Sequence, residues 1–227
     1  CITHMYFTYL FSYLSPWILI LLTLERLVSV YYPLRCREIC SRFRMVMGLL
    51  GVVVFFAALS LWYAFTARIV EEPDGRIGCM PLLRFQKFYA AGWFWIDTSF
   101  YAFIPFTLIF TGNVLIAKKL LTAQQNREAM ANKREPKQSS ITPMLMTISW
   151  CFLILNLPSC IFFIGVGQQA WPMASQQDYY NLTLTYDIVN LLYYINNAIN
   201  FFLYCITGSK FRAVLVAMFA CLRNGRK

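Results

Sequence analysis

Residues 1–34 read CITHMYFTYLFSYLSPWILILLTLERLVSVYYPL, and the first 24 of them contain no Asp, Glu, Lys or Arg. An α-helix needs about 20 apolar residues to cross the hydrocarbon of a bilayer, so this stretch is long enough to span one. Its far end is marked by Glu25-Arg26, two opposite charges side by side, and then by Pro33-Leu34. Charges at a membrane boundary are costly unless paired or solvated. Adjacent Glu and Arg can satisfy each other or a neighbouring helix; an arginine snorkelling to the interface is the plainer alternative.

Working outward, four more uncharged stretches of similar scale follow: Met45 to Ala67, Thr98 to Ala117, Gln138 to Val166 and Ile188 to Gly208. Only 13% of the chain is charged and 59% is hydrophobic, with a mean hydropathy of +0.54. A soluble domain is about 25% charged, so too few charges are present to cover a water-facing surface. Backbone polar groups find no partner in lipid, and the spans are therefore expected as helices. The expected fold is an all-α membrane protein forming one domain over residues 1–227. Its spans lie at about 2–30, 45–67, 94–118, 141–166 and 184–207, and an interfacial helix covers 209–222. No signal peptide opens the chain, and Cys1 in first position reads as the start of an internal piece.

The loop charges fix the orientation. If the first span ends inside the cell, Arg26, Arg35, Arg37, Arg42, Arg44, Lys118, Lys119, Arg127, Lys133, Arg134, Lys137, Lys210, Arg212, Arg223, Arg226 and Lys227 are cytoplasmic, which is sixteen of the 20 basic residues. Basic residues beside span ends set topology. The net charge of +10 then reflects attraction to anionic inner-leaflet lipid. A nucleic-acid partner is not implied, because the charge lies in short loops between apolar spans. The Asn181-Leu182-Thr183 sequon falls on the outer side, which fits a glycosylation site. Trp93, Trp95, Trp171, Tyr179 and Tyr180 lie near outer span ends, where amphipathic rings anchor.

Eight cysteines show no zinc-like spacing. Cys1 and Cys79 share the outer, oxidising side and form the natural disulfide pair, two free thiols being the alternative. Cys221 follows an apolar stripe of Phe211, Val214, Leu215, Met218, Phe219 and Leu222, as expected of a helix lying in the inner interface, and is a candidate palmitoylation site.

The ordered set of motifs resembles the rhodopsin-like (class A) G-protein-coupled receptors from their third helix onward. Cys1, then Glu25-Arg26-Leu27 and Pro33-Leu34, resemble the third-helix Cys, the Asp/Glu-Arg-Tyr motif and its following Pro-Leu. Pro105 resembles the fifth-helix proline. Phe152 with Asn156-Leu157-Pro158 resembles Phe-x-x-Cys-Trp-x-Pro of the sixth helix. Asn200-Phe201-Phe202-Leu203-Tyr204 resembles Asn-Pro-x-x-Tyr of the seventh. Departures include Leu27 and Asn113 at usual tyrosines, Asn156 at the usual tryptophan, and Phe201 at the usual proline. The resemblance implies a partial seven-helix bundle with helices three to seven and a juxtamembrane eighth. It further implies an extracellular ligand, a heterotrimeric G protein as partner, no cofactor and a multi-pass place in the plasma membrane. Arg26 and Leu34 would meet the G protein, with Glu25 restraining Arg26 at rest. Pro158 would act as a pivot, a tolerated static kink being the alternative. Phe152, Asn156, Asn200 and Tyr204 would rearrange around it.

For the ligand, an opsin would need a lysine where Tyr194 stands, and a monoamine receptor an acid where Thr8 stands. Aromatic and polar residues in the outer halves (Tyr9, Ser12, Tyr13, Phe163, Tyr186, Asn190 and Tyr194, with Thr8) favour a peptide. Asp97 and Asp187 would attract a cationic group, or are simply solvated helix ends. Leu155-Asn156-Leu157-Pro158 and the proline-less Asn200–Cys205 segment resemble invertebrate FMRFamide-type neuropeptide receptors. A fragment of a polytopic transporter or channel is the alternative class. An enzyme is not indicated, since the single histidine, His4, has no nucleophile or metal set around it.

Overall fold

A computed structural model describes residues 1–71, 77–88, 92–129, 141–167, 175–207 and 212–218. The elements are α1 (Ile2–Tyr31), α2 (Cys36–Ile39), α3 (Arg42–Thr66), β1 (Ala67–Glu71), β2 (Ile77–Pro81), α4 (Leu83–Phe88) and α5 (Phe94–Thr98). A π-helical turn (Ser99–Phe103) then leads into α6 (Ile104–Ala129), followed by α7 (Ile141–Gly167) and α8 (Gln176–Thr207). Residues 212–218 form a further short helix, α9.

At the centre stands α1, packed against α3, α6 and α7, while α7 also packs against α8. Its buried residues, Leu10, Ser12, Tyr13, Pro16, Leu19, Ile20 and Thr23, fall along one face, with Leu10, Tyr13, Pro16, Leu19 and Thr23 three or four positions apart. Leu19, Ile20, Ile109, Leu145, Ile148, Phe152 and Leu153 make one core cluster; Leu10, Tyr13 and Phe56 make another. α1 stops at Tyr31 because Pro33 disfavours helical backbone at the residue before it, and Tyr32 leaves the helix at φ −129°, ψ 62°. α3 starts behind Ser41, whose hydroxyl accepts the Arg44 N–H.

Among the described residues, α1, α3, the Phe94–Asn126 run and α7 are each long and apolar enough to cross a membrane. At 32 residues α8 is longer than any of these except that run, but it carries Asp178, Asp187, Asn190, Asn196, Asn197 and Asn200 and falls short on composition. It also begins at Gln176 rather than near residue 184. A capping box explains this: the Ser175 hydroxyl accepts the Asp178 N–H at 3.1 Å, and Asp178 Oδ2 accepts the Ser175 N–H at 2.9 Å. Asn181 therefore sits on a helix rather than in a loop, with its side chain exposed.

Pro105 shapes the α5–α6 run. It has no N–H to donate, so the preceding turn widens and the Ile104 N–H bonds back to Ser99 O, five residues away. The next bond in that pattern would need the missing Pro105 donor. Phe100 O instead accepts the Trp17 indole N–H from α1 at 2.9 Å.

Helices α1 and α6 approach closely at Gly112. A Cβ there would lie 2.6 Å from Thr23 Cγ2, and the Thr23 hydroxyl is held on Leu19 O at 2.8 Å. We expect Gly112→Ala to destabilise the bundle by about 1–3 kcal/mol through overpacking, lowering the thermal unfolding midpoint in detergent. Gly51→Ala, where a Cβ meets nothing within 4 Å, is the control. Equal midpoints for the two variants would show that the close approach carries no packing constraint.

Candidate functional site: a tyrosine-lined cavity with one carboxylate

Tyrosines from α1, the π turn and α8 converge at the end of the bundle where Cys1 and the start of α8 lie. They enclose a cavity of about 720 Å³, within the usual range for a ligand pocket. α1 contributes His4, Met5, Thr8, Tyr9, Ser12 and Tyr13. The α5 segment and π turn add Phe94, Asp97, Thr98 and Tyr101. α7 gives Ser159 and Phe162, and α8 gives Tyr179, Leu182, Thr183, Tyr186, Asn190, Tyr193 and Tyr194.

Asp97 is the only carboxylate among these lining residues, and no Lys or Arg is among them. The Tyr13 hydroxyl donates to Asp97 Oδ1, and Tyr63 is within hydrogen-bonding reach of the same carboxylate. Trp93 Nε1 donates to the Tyr63 hydroxyl at 3.0 Å, and the Tyr9 ring stacks on Tyr63 at 3.5 Å. The carboxylate is thus held by two phenols from α1 and α3. Phenols share a negative charge without neutralising it, so the wall stays attractive to a cation.

The predicted residues Thr8, Tyr9, Ser12, Asp97, Tyr186, Asn190 and Tyr194 are brought together here. Asp187 is not: it is exposed and does not line the cavity, because it follows Tyr186 by one residue, about 100° round the helix. The side chain of Phe163 is not among those described. Its neighbour Phe162 is buried and packs near Tyr186 at 6.1 Å. Sequence periodicity could not separate the two, because a 3.6-residue repeat from the buried Ser159 falls between them. Sequence reading also missed Tyr101, Tyr193 and the early turns of α8. The Ser175-x-x-Asp178 cap was the available signal for the last of these.

Over the same end lies the β1–β2 hairpin, antiparallel with Ile69 opposite Cys79. Cys79 is disulfide-bonded to Cys1, their Cα atoms 5.6 Å apart, which ties the hairpin to the start of α1.

At the opposite end of α1, Arg26 Nη2 lies 3.0 Å from Glu25 Oε1, the two side chains 16% and 26% exposed. Arg26 Nε is buried without a partner among the described residues. The Tyr31 hydroxyl reaches Leu115 O at 3.3 Å, and Leu34 is 96% exposed in the connector that follows. Between the two ends, Phe152 and Asn156 are buried on α7, Pro158 lies within that helix, and Asn113 is buried on α6 with its amide nitrogen unpaired. Asn200 and Tyr204 lie on α8, their side chains not among those described. Arg212 on α9 donates to the last carbonyls of α8, Ile206 O at 2.6 Å and Cys205 O at 3.2 Å. Cys221 lies outside the described residues. Among the described residues, no cluster of three or more His, Cys, Asp or Glu could hold a metal.

Residues 1–204 match the model of the 7 transmembrane receptor (rhodopsin family). The chain is 24% identical to an FMRFamide receptor of Drosophila melanogaster, over 97% of this chain and 42% of the relative. It is 27% identical to an FMRFamide peptide receptor of Caenorhabditis elegans, over 93% and 49%. It is 24% identical to sex peptide receptor-related protein 2 of Caenorhabditis elegans, over 92% and 52%. The chain thus spans about half the length of these relatives. An apolar helical bundle, a disulfide-anchored outer hairpin and a family match over nearly the whole chain agree: the protein belongs to the rhodopsin family of seven-transmembrane receptors, multi-pass proteins of the plasma membrane.

Proposed function

We propose that this receptor binds the amidated end of a short, cation-bearing extracellular peptide in the tyrosine-lined cavity and activates a heterotrimeric G protein from its inner face. The observation that carries the reading is the charge inventory of the cavity, one carboxylate and no Lys or Arg among the described lining residues. A free peptide C-terminus placed there would be an unpaired anion beside Asp97, which is costly in a desolvated site. An amide end avoids that cost, and a peptide cation gains from Asp97. The relatives named as FMRFamide receptors are consistent with such a ligand. The family assignment replaces the transporter or channel alternative.

The remaining roles belong to the same proposal. Arg26 and Leu34 contact the G protein, and Glu25 holds Arg26 at rest. Phe152, Asn156, Pro158, Asn200 and Tyr204 relay the change of packing. Asn181 accepts a glycan at the cavity mouth, and Cys221 a palmitate.

The test is a signalling screen of amidated short peptides, and their free-acid counterparts, on the full-length receptor. An amidated Arg-containing peptide should activate, and its free acid should be weaker by at least about tenfold, the worth of one poorly paired buried charge. Equal potency of acid and amide would remove the argument from the cavity. Glu25→Gln should raise basal signalling, because it deletes one charge of the resting pair. Unchanged basal signalling at equal surface density would count against that pairing as a restraint.

A further inference from the structure

The cavity wall is tied to the core of the bundle through a phenol–amide contact. Tyr101, on the π turn, lines the cavity, and its hydroxyl donates to Asn156 Oδ1 at 3.4 Å. Asn156 is 1% exposed and does not line the cavity. Its Nδ2 donates to Phe152 O of its own helix at 2.9 Å. That bond fixes the amide and leaves Oδ1 directed at the π turn. The Tyr101 ring is held in place by Tyr193, whose ring meets it edge-on at 5.1 Å and whose hydroxyl donates to Ser12 on α1.

A phenol has one proton to donate. A cavity occupant that presents a stronger acceptor, such as a peptide carbonyl, takes that proton and leaves Asn156 Oδ1 unpaired in an apolar core. Asn156 is buried from solvent, so an unpaired oxygen there is disfavoured. Relief requires α7 to move, and the site lies two residues before Pro158, where a backbone hydrogen bond is already missing. The tryptophan usual in this family at the Asn156 position could not act in this way, since an indole donates but does not accept.

We infer that Tyr101 is the residue through which α7 senses an occupied cavity, and that the Tyr101–Asn156 hydrogen bond is a latch opened by a carbonyl oxygen of the ligand. The inference rests on the receptor reading above.

It is tested by basal signalling of the full-length receptor, normalised to surface copies. Tyr101→Phe keeps the ring and deletes the proton, leaving Asn156 Oδ1 permanently unpaired, so basal signalling should rise about fivefold or more. Adding Asn156→Leu deletes the unpaired oxygen as well and should lower the signal below that of Tyr101→Phe. A loss of a merely structural bond would lower surface expression and would not be reversed by the second change. Parental basal signalling in Tyr101→Phe, with Glu25→Gln elevated in the same assay, overturns the latch. So does a double variant as active as Tyr101→Phe. If Glu25→Gln is silent too, the Glu25 restraint fails as well, and the latch with it. Should Tyr101→Phe not reach the surface, Asn156→Leu alone decides: with the amidated peptide FMRFamide as probe it should keep binding and lose signalling, and a parental response would overturn the inference.

Discussion

Arg26→Ala abolishes G-protein activation in the full-length receptor while leaving its surface level near parental; that is the expected outcome of paired signalling and cell-surface labelling assays. The two halves of this expectation have different physical origins. The Glu25–Arg26 contact joins neighbours on one helix at 3.0 Å and is partly exposed. Such pairs contribute about 0–1 kcal/mol to stability, so the fold tolerates the loss. Coupling is different, because a guanidinium inserted into a partner is desolvated there. Truncating one member of a buried, charge-assisted contact costs about 2–5 kcal/mol, which corresponds to a ~30-fold or greater loss. With Nε buried and unpaired, the side chain also has donor capacity not used at rest. Retained activation in an Arg26→Ala receptor at normal surface density would exclude this arginine as the coupling contact.

The second large effect falls on Asp97. Asp97→Asn keeps the size and the acceptor for the Tyr13 hydroxyl and removes only the charge. Potency of an Arg-containing amidated peptide should fall about 30-fold or more, by the same cost of an unpaired desolvated charge. Replacing the peptide arginine by neutral citrulline should cost a similar amount on the parent receptor. On Asp97→Asn the same replacement should cost little, since the pair can be lost only once. Additive losses in that cycle would mean that the arginine binds elsewhere. Asp187 makes a useful contrast: it is exposed and outside the cavity lining, so its neutralisation should leave potency unchanged.

Much of the membrane architecture was legible in the sequence because lipid imposes a one-dimensional rule. Uncharged runs must be long enough to cross, and basic residues collect at their inner ends. The motif order from Cys1 through Glu25-Arg26 to Asn200–Tyr204 placed the chain in its family on the same basis, and the pairing of Cys1 with Cys79 followed from sidedness. The helix of α8 begins eight residues ahead of the expected span because hydropathy does not register a cap: Ser175 and Asp178 set that end through hydrogen bonds rather than apolarity.

What a single sequence determines here is the sum of local rules, each acting along one segment. Which side chains meet across helices depends on rotation about each axis, and a 3.6-residue repeat leaves that uncertain by half a turn's neighbours, as Phe162 and Phe163 illustrate. The grip of Tyr13 and Tyr63 on Asp97, the exclusion of Asp187, the contact of Gly112 with Thr23 and the Tyr101–Asn156 bond were decided only in the packed bundle. There residues tens of positions apart in the chain become neighbours, and one helix's rotation settles another's partners.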